Sequence, residues 1–180
     1  MTFRQIAVVL MVWSCAASAN DAADPGARAV RLIAAMEIGK ISVMGLQKSI
    51  EVMKRQGMTD AQAECVRATP ASEFEPVLAR VAAEELTAAE IDEAIQFYES
   101  PSGKKYVVMT EVKSAEMIGV RTSSTMPDFT AKEIASTEAF GKTGVFQKLV
   151  NENVLTRSAS GRNQVQNLTV RILKGCGVGR

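Results

Sequence analysis

The sequence has 180 residues, 47% hydrophobic and 23% charged, with 21 basic and 20 acidic side chains and no histidine. This is the size and balance of one globular domain. It lacks the clustered basic excess that phosphate contacts demand of a nucleic-acid binder. Without histidine the chain cannot run Ser-His-Asp or Cys-His catalysis or bind a metal through imidazole, and with three cysteines no metal site and no cofactor are expected.

The first nineteen residues read as an address. Arg4 gives a basic start, Ile6 to Trp13 an apolar run, and Ala17, Ser18 and Ala19 a small-residue cleavage site. This is the three-part pattern of a secretory signal peptide, cut after Ala19, for a protein that ends in the periplasm or outside the cell. The apolar run is too short for the roughly 20 residues of a spanning helix, and no later segment approaches that length. A lipoprotein acylated at Cys15 is the lesser alternative, because bulky Trp13 stands where a small residue is usual.

Residues 20–180 then form the single mature domain, with no tryptophan and two cysteines, Cys65 and Cys176. Two cysteines in an oxidising compartment predict a disulfide. It would close a loop worth about 4–5 kcal/mol on the chain-entropy model. It would also hold a C-terminus that Gly175, Gly177 and Gly179 otherwise leave to fray.

Taken in order, the mature chain reads as helices. Asp24-Pro25 is a helix start, and a stripe from Ala29 through Leu32, Met36, Gly39, Val43, Leu46 and Ile50 to Met53 recurs at three and four. That predicts one long helix ended by Gly57, with Gly39 and Gly45 admitting a close neighbour. Thr59 opens a short helix through Cys65. Capping-box patterns at Ser72–Glu75, Thr87–Glu90 and Thr130–Glu133 open three more, and Ser100-Pro101 opens another. The segment 160–174 alternates like a strand around Leu168–Ile172 but fits a helix through Val165, Leu168 and Ile172, and helix is chosen because no strand partner exists. The expected fold is all-α: a single-domain bundle of about six to seven helices.

A weak internal repeat runs at an offset of 43. Leu86, Thr87, Glu90 and Ile91 correspond to Phe129, Thr130, Glu133 and Ile134; Phe97, Ser100 and Lys105 correspond to Phe140, Thr143 and Lys148. Two copies are too few for a solenoid, so the expectation is a weakly duplicated helix–corner–helix unit.

The first copy carries the most specific stretch. Leu86-Thr87 and Glu90 lead into Phe97-Tyr98-Glu99-Ser100-Pro101-Ser102-Gly103-Lys104-Lys105. This resembles the family called domain of unknown function 2059, closely over Leu86–Lys105 and more loosely over a core of about 80–150. The resemblance implies a helical fold and an exported bacterial setting. It implies no activity and supplies no catalytic residues.

Three functional classes follow. The first is a non-catalytic binding or scaffolding module with an unknown protein or cell-envelope partner. Its candidate ligand- or partner-binding residues are Phe97, Tyr98, Ser100, Gly103, Lys104 and Lys105, the lysines standing beside a helix N-terminus that attracts anions; the competing reading of the same corner is purely structural. The second is a lysozyme-like enzyme acting on peptidoglycan with Glu99 as general acid, which would need an apolar pocket to raise its pKa. The third is an apolar-ligand carrier or chaperone lined by some of the mature chain's seven methionines.

Overall fold

The computed structural model describes residues 24–179. The expected signal peptide and its alternative, acylation at Cys15, fall outside the described residues.

Helix α1 (Pro25–Met36) begins where the sequence places it. The Asp24 carboxylate accepts the Gly26 N–H at 2.8 Å, and Pro25 fills the first turn. The chain then departs from the expected long helix. Glu37 is left-handed (φ 49°), and α2 (Ile38–Arg55) restarts directly after it. The apolar stripe continues across the break, with Leu32, Ile33 and Met36 buried before it and Gly39, Leu46 and Ile50 after it, which is why periodicity alone cannot see it. The change of direction seats Gly39 against a 3₁₀ turn, Ala71–Glu73: a Cβ on Gly39 would stand 2.7 Å from the Ala71 carbonyl oxygen. Gly45 has open space instead.

Helix α3 (Asp60–Arg67) has the reciprocal Thr59–Gln62 capping box. The capping box expected at Ser72 does not form. Helix α4 (Glu75–Glu85) starts from Phe74 with no side-chain cap, and Phe74 is 2% exposed, so burial of the ring fixes this start. Helices α5 (Ala88–Tyr98) and α7 (Ala131–Gly141) carry complete capping boxes, Thr87–Glu90 and Thr130–Glu133. Between them α6 (Pro101–Ile118) is capped by Ser100 and ended by left-handed Gly119.

The second half of the repeat is fragmented. A one-turn α8 (Gly144–Phe146) runs into a π-helical turn, Gln147–Asn151; left-handed Asn153 (φ 51°) follows, then a one-turn α9 (Val154–Arg157). Helix α10 (Ala159–Gly175) closes the chain, so the ambiguous tail is helical. The described residues thus hold ten α-helical segments and no strand. The all-helical expectation holds; the count of six to seven does not, because Glu37 divides the expected long helix in two and the segment opened by Thr130 breaks between residues 142 and 153.

Helix α1 packs against α4 and α5; α10 lies on α4 and α9; α6 bridges α2, α5 and α7. One core cluster links them, from Ala29 and Leu32 through Phe74, Ile91 and Leu155 to Leu168. Cys65 on α3 is disulfide-bonded to Cys176 at the end of α10, as the cysteine count predicts. No described helix is long and apolar enough to cross a membrane.

Candidate functional site

The α5–α6 corner is built from its side chains inward. The Ser100 hydroxyl accepts the Gly103 N–H at 3.0 Å, and Pro101 occupies the first helical position. Gly103 lies directly on the end of α5: a Cβ there would come within 1.9 Å of the Phe97 carbonyl oxygen. Only glycine permits that crossing. The Phe97 ring stacks on Phe140 at 3.9 Å between centroids, with 11° between planes, and Tyr98 meets both rings edge-on. Lys105 donates to the Glu133 carboxylate and to the Asp128 carbonyl, each at 2.8 Å, and passes over the Phe129 ring. Lys148 pairs with Glu90 at 2.7 Å. The two lysines, 43 residues apart, therefore each hold the capping-box glutamate of the other copy.

These contacts decide what the corner residues are free to do. Phe97, Ser100, Gly103 and Lys105 are committed to packing, capping and one ion pair. Ser102 and Lys105 also stand at a Ser-x-x-Lys spacing. Ser102 is buried and the Lys105 ammonium is held by Glu133, so the pair lacks the free base that a serine nucleophile needs.

Glu99 is held by Arg31 in a two-pronged ion pair, both N–O distances 2.6 Å. The Arg31 hydrogen bonds keep the Glu99 carboxyl below its usual range. A glycosidase general acid needs the reverse, a carboxyl raised by an apolar pocket. Glu133 shows the same effect more strongly: the Lys105 hydrogen bond, then the Thr130 N–H, lower it to about 2.

Two cavities flank Tyr98 and Val107. The first, about 210 Å³, is apolar, with Met36, Ile41, Tyr98, Tyr106 and Leu149 as its main walls and the polar groups of Thr110, Ser114 and Asn153 at intervals. Burial raises the pKa of both phenols, Tyr98 most of all. The second, about 360 Å³, has Ala34, Ala35 and Val108 on its walls and Glu37, Glu99 and Lys104 among its lining. Of the six corner candidates, Tyr98 and Lys104 are thus the two that face open space. Lys104 makes no ion pair among the described residues.

The apolar cavity lies where the backbone is irregular. Met36 and Ile38 border left-handed Glu37; Leu149 and Val150 belong to the π turn; Asn153 is itself left-handed. Such turns and strained residues concentrate at functional sites. Three pairs of its lining positions, Tyr106 and Leu149, Val107 and Val150, Thr110 and Asn153, are also 43 residues apart.

Residues 72–132 match the family model described as an uncharacterized protein conserved in bacteria (DUF2059). No curated protein and no solved structure matches the chain. The DUF2059 segment supplies α4, α5, α6 and the start of α7, and with them Tyr98, Tyr106, Val107, Thr110 and Ser114 of the cavity. The facing wall comes from outside it: Met36, Ile38 and Ile41 upstream, Leu149, Val150 and Asn153 downstream. Sequence reasoning reached Tyr98 through the corner motif but missed this far wall. Its residues carry no motif, and neither αL residue, a glutamate and an asparagine, announces itself by type.

Proposed function

We propose that the protein is an exported, non-catalytic binding module of a single domain, and that the apolar cavity beneath Tyr98 and Tyr106 takes the hydrophobic body of a small ligand. The observation that carries this reading is the cavity itself, open to the surface and bounded by two aromatic phenols and aliphatic side chains, with a few hydroxyl and amide groups to orient a guest. An apolar cavity of about 150 Å³ holds a benzene ring, so one of this size suits a single ring or a short chain. The Cys65–Cys176 disulfide fits an oxidising compartment and so supports export.

The duplication gives this site its origin. The reciprocal pairs Lys105–Glu133 and Lys148–Glu90, the near-parallel Phe97–Phe140 stack and the paired lining positions are what two copies meeting about a pseudo-two-fold axis would produce. On this reading the cavity sits between the copies, opened where the second copy breaks at its π turn while α6 runs straight.

The chain has two tyrosines, Tyr98 and Tyr106, and its one tryptophan, Trp13, is within the proposed signal peptide. Both tyrosines line this cavity, so tyrosine emission of the mature protein reports on it. Titration with 1-octanol should change that emission saturably. Val150→Trp, at a partly exposed position on the rim, should block binding by calorimetry while leaving the melting temperature nearly unchanged. An emission that does not respond in the folded wild type would overturn the proposal.

A further inference from the structure

We infer that the ligand is an amphipathic anion, its apolar body in the Tyr98–Tyr106 cavity and its carboxylate or comparable headgroup in the adjoining cavity that Glu37, Glu99 and Lys104 line, held by Lys104. This rests on the binding reading above and adds the charge of the ligand to it.

Three ionic groups line the second cavity: Glu37, Glu99 and Lys104. Both carboxylates already have cations. Glu37 pairs with Lys40 at 2.5 Å, and Glu99 takes both prongs of Arg31. Glu111, the next carboxylate on α6, accepts from the Thr122 and Ser124 hydroxyls; it lines neither cavity but borders, with Glu37 and Lys40, the narrow crevice beside Val107, where Lys40 also acts on it. Lys104 is left as the cation in no ion pair among the described residues; Glu99 feels its charge but is already held by Arg31. An anion entering here meets one uncompensated positive charge, whereas a cation would have to compete with Arg31 or Lys40 for an acid.

The placement of the two cavities supports a single molecule spanning both. They share Tyr98 and Val107 as their common border, so a chain that crosses this border on the apolar side would reach the cavity that Lys104 lines. The long lysine stem can follow it while the ammonium stays near water. Lys105, next in sequence, cannot serve, because Glu133 and Asp128 hold it. The helix N-terminus is not the recognition element either: the Ser100 hydroxyl already occupies the Gly103 N–H.

The test is a matched series on the full mature protein: 1-octanol, octanoate and octylammonium, followed by tyrosine emission and calorimetry at low and high salt. Octanoate should bind roughly three- to tenfold more tightly than 1-octanol, the range of one partly screened charge-assisted contact. Octylammonium should bind more weakly than 1-octanol. Lys104→Gln should remove the preference for octanoate over 1-octanol and its salt dependence; Lys104→Arg should retain the preference. Equal affinity for all three probes, or a preference that survives Lys104→Gln, overturns the anion assignment and leaves the cavity reading standing. Binding of none of the three overturns both.

Discussion

At the scale of single residues, two glycines mark the difference between geometry and composition. Gly103 and Gly45 both sit inside helices, yet a Cβ would strike the Phe97 carbonyl from the first and meet nothing within 4 Å from the second. The carbonyl belongs to the α5 backbone and cannot swing aside. Gly103→Ala should therefore cost about 3 kcal/mol or more, as the overpacking of a fixed contact does. Gly45→Ala should stabilise by roughly 0.5–1 kcal/mol, the ordinary gain of replacing a helical glycine. Paired denaturant titrations would check both, and a benign Gly103→Ala would show that the corner relaxes in a way its backbone does not suggest.

Glu133 offers a second residue-scale expectation. Its folded pKa is lowered to about 2 by Lys105 and by the Thr130 N–H, against roughly 4.3 for an unfolded glutamate. Between those values the unfolded chain binds a proton that the folded chain refuses, so acid favours unfolding. The contribution is fully present above the unfolded value and is lost as pH falls from about 4.5 towards 2. The stability difference between wild type and Glu133→Gln should be level above pH 5, shrink through that window and vanish at its lower end. A difference independent of pH would mean that the ion pair does not persist in solution.

At the scale of elements, the sequence is most legible where a side chain caps a helix. Asp24, Thr59, Thr87, Ser100 and Thr130 all cap where their spacing predicts, because a cap is a local contract between a hydroxyl or carboxylate and an N–H two or three residues on. It fails at Ser72, where burial of Phe74, a tertiary demand, overrides a well-spelled capping box. It fails again at Glu37, since periodicity specifies which face is apolar and is silent about one residue crossing into the left-handed region. The candidate site divides in the same way. Tyr98 and Lys104 are legible through the corner, whereas Met36, Ile41 and Leu149 become neighbours only when distant helices pack.

The break at Glu37 is therefore an imposed one, and it can be tested as such. A non-glycine residue in the left-handed region carries about 1–2 kcal/mol of steric cost. Glu37→Gly removes that cost, partly offset by glycine's backbone entropy and by loss of the Lys40 pair, an exposed contact of a few tenths. The net expectation is a gain of about 0.5–1 kcal/mol with helicity unchanged. A loss in its place would indicate that the Glu37 carboxylate supports the α1–α2 junction beyond the Lys40 contact.

At the scale of the whole molecule, the disulfide joins α3 to the end of α10 across 111 residues of sequence, so α4 to α9 all lie within its loop. Two arrangements hold the same C-terminal turn without it. Gln62, from the α3 capping box, donates to the Gly177 carbonyl at 2.7 Å, and Leu173 and Val178 pack against the core. The bond and the packing should therefore separate under reduction. The global effect acts on the unfolded chain: Cys65→Ser with Cys176→Ser should lower stability by about 4–5 kcal/mol on the chain-entropy model, or about 10–15 °C in melting temperature for a chain of this length. The local effect acts on the folded chain: amides from Leu173 to Val178 should exchange faster, while those around Leu168, 2% exposed, keep the protection of the core. Hydrogen exchange on the oxidised protein and the double serine variant distinguishes the two. A melting temperature unmoved by the substitutions would mean that the unfolded chain is already compact enough for the cross-link to restrict little. Loss of protection throughout α10 would mean that the helix depends on the bond for its docking, and the cavity wall next to α9 would then be coupled to the redox state of the compartment.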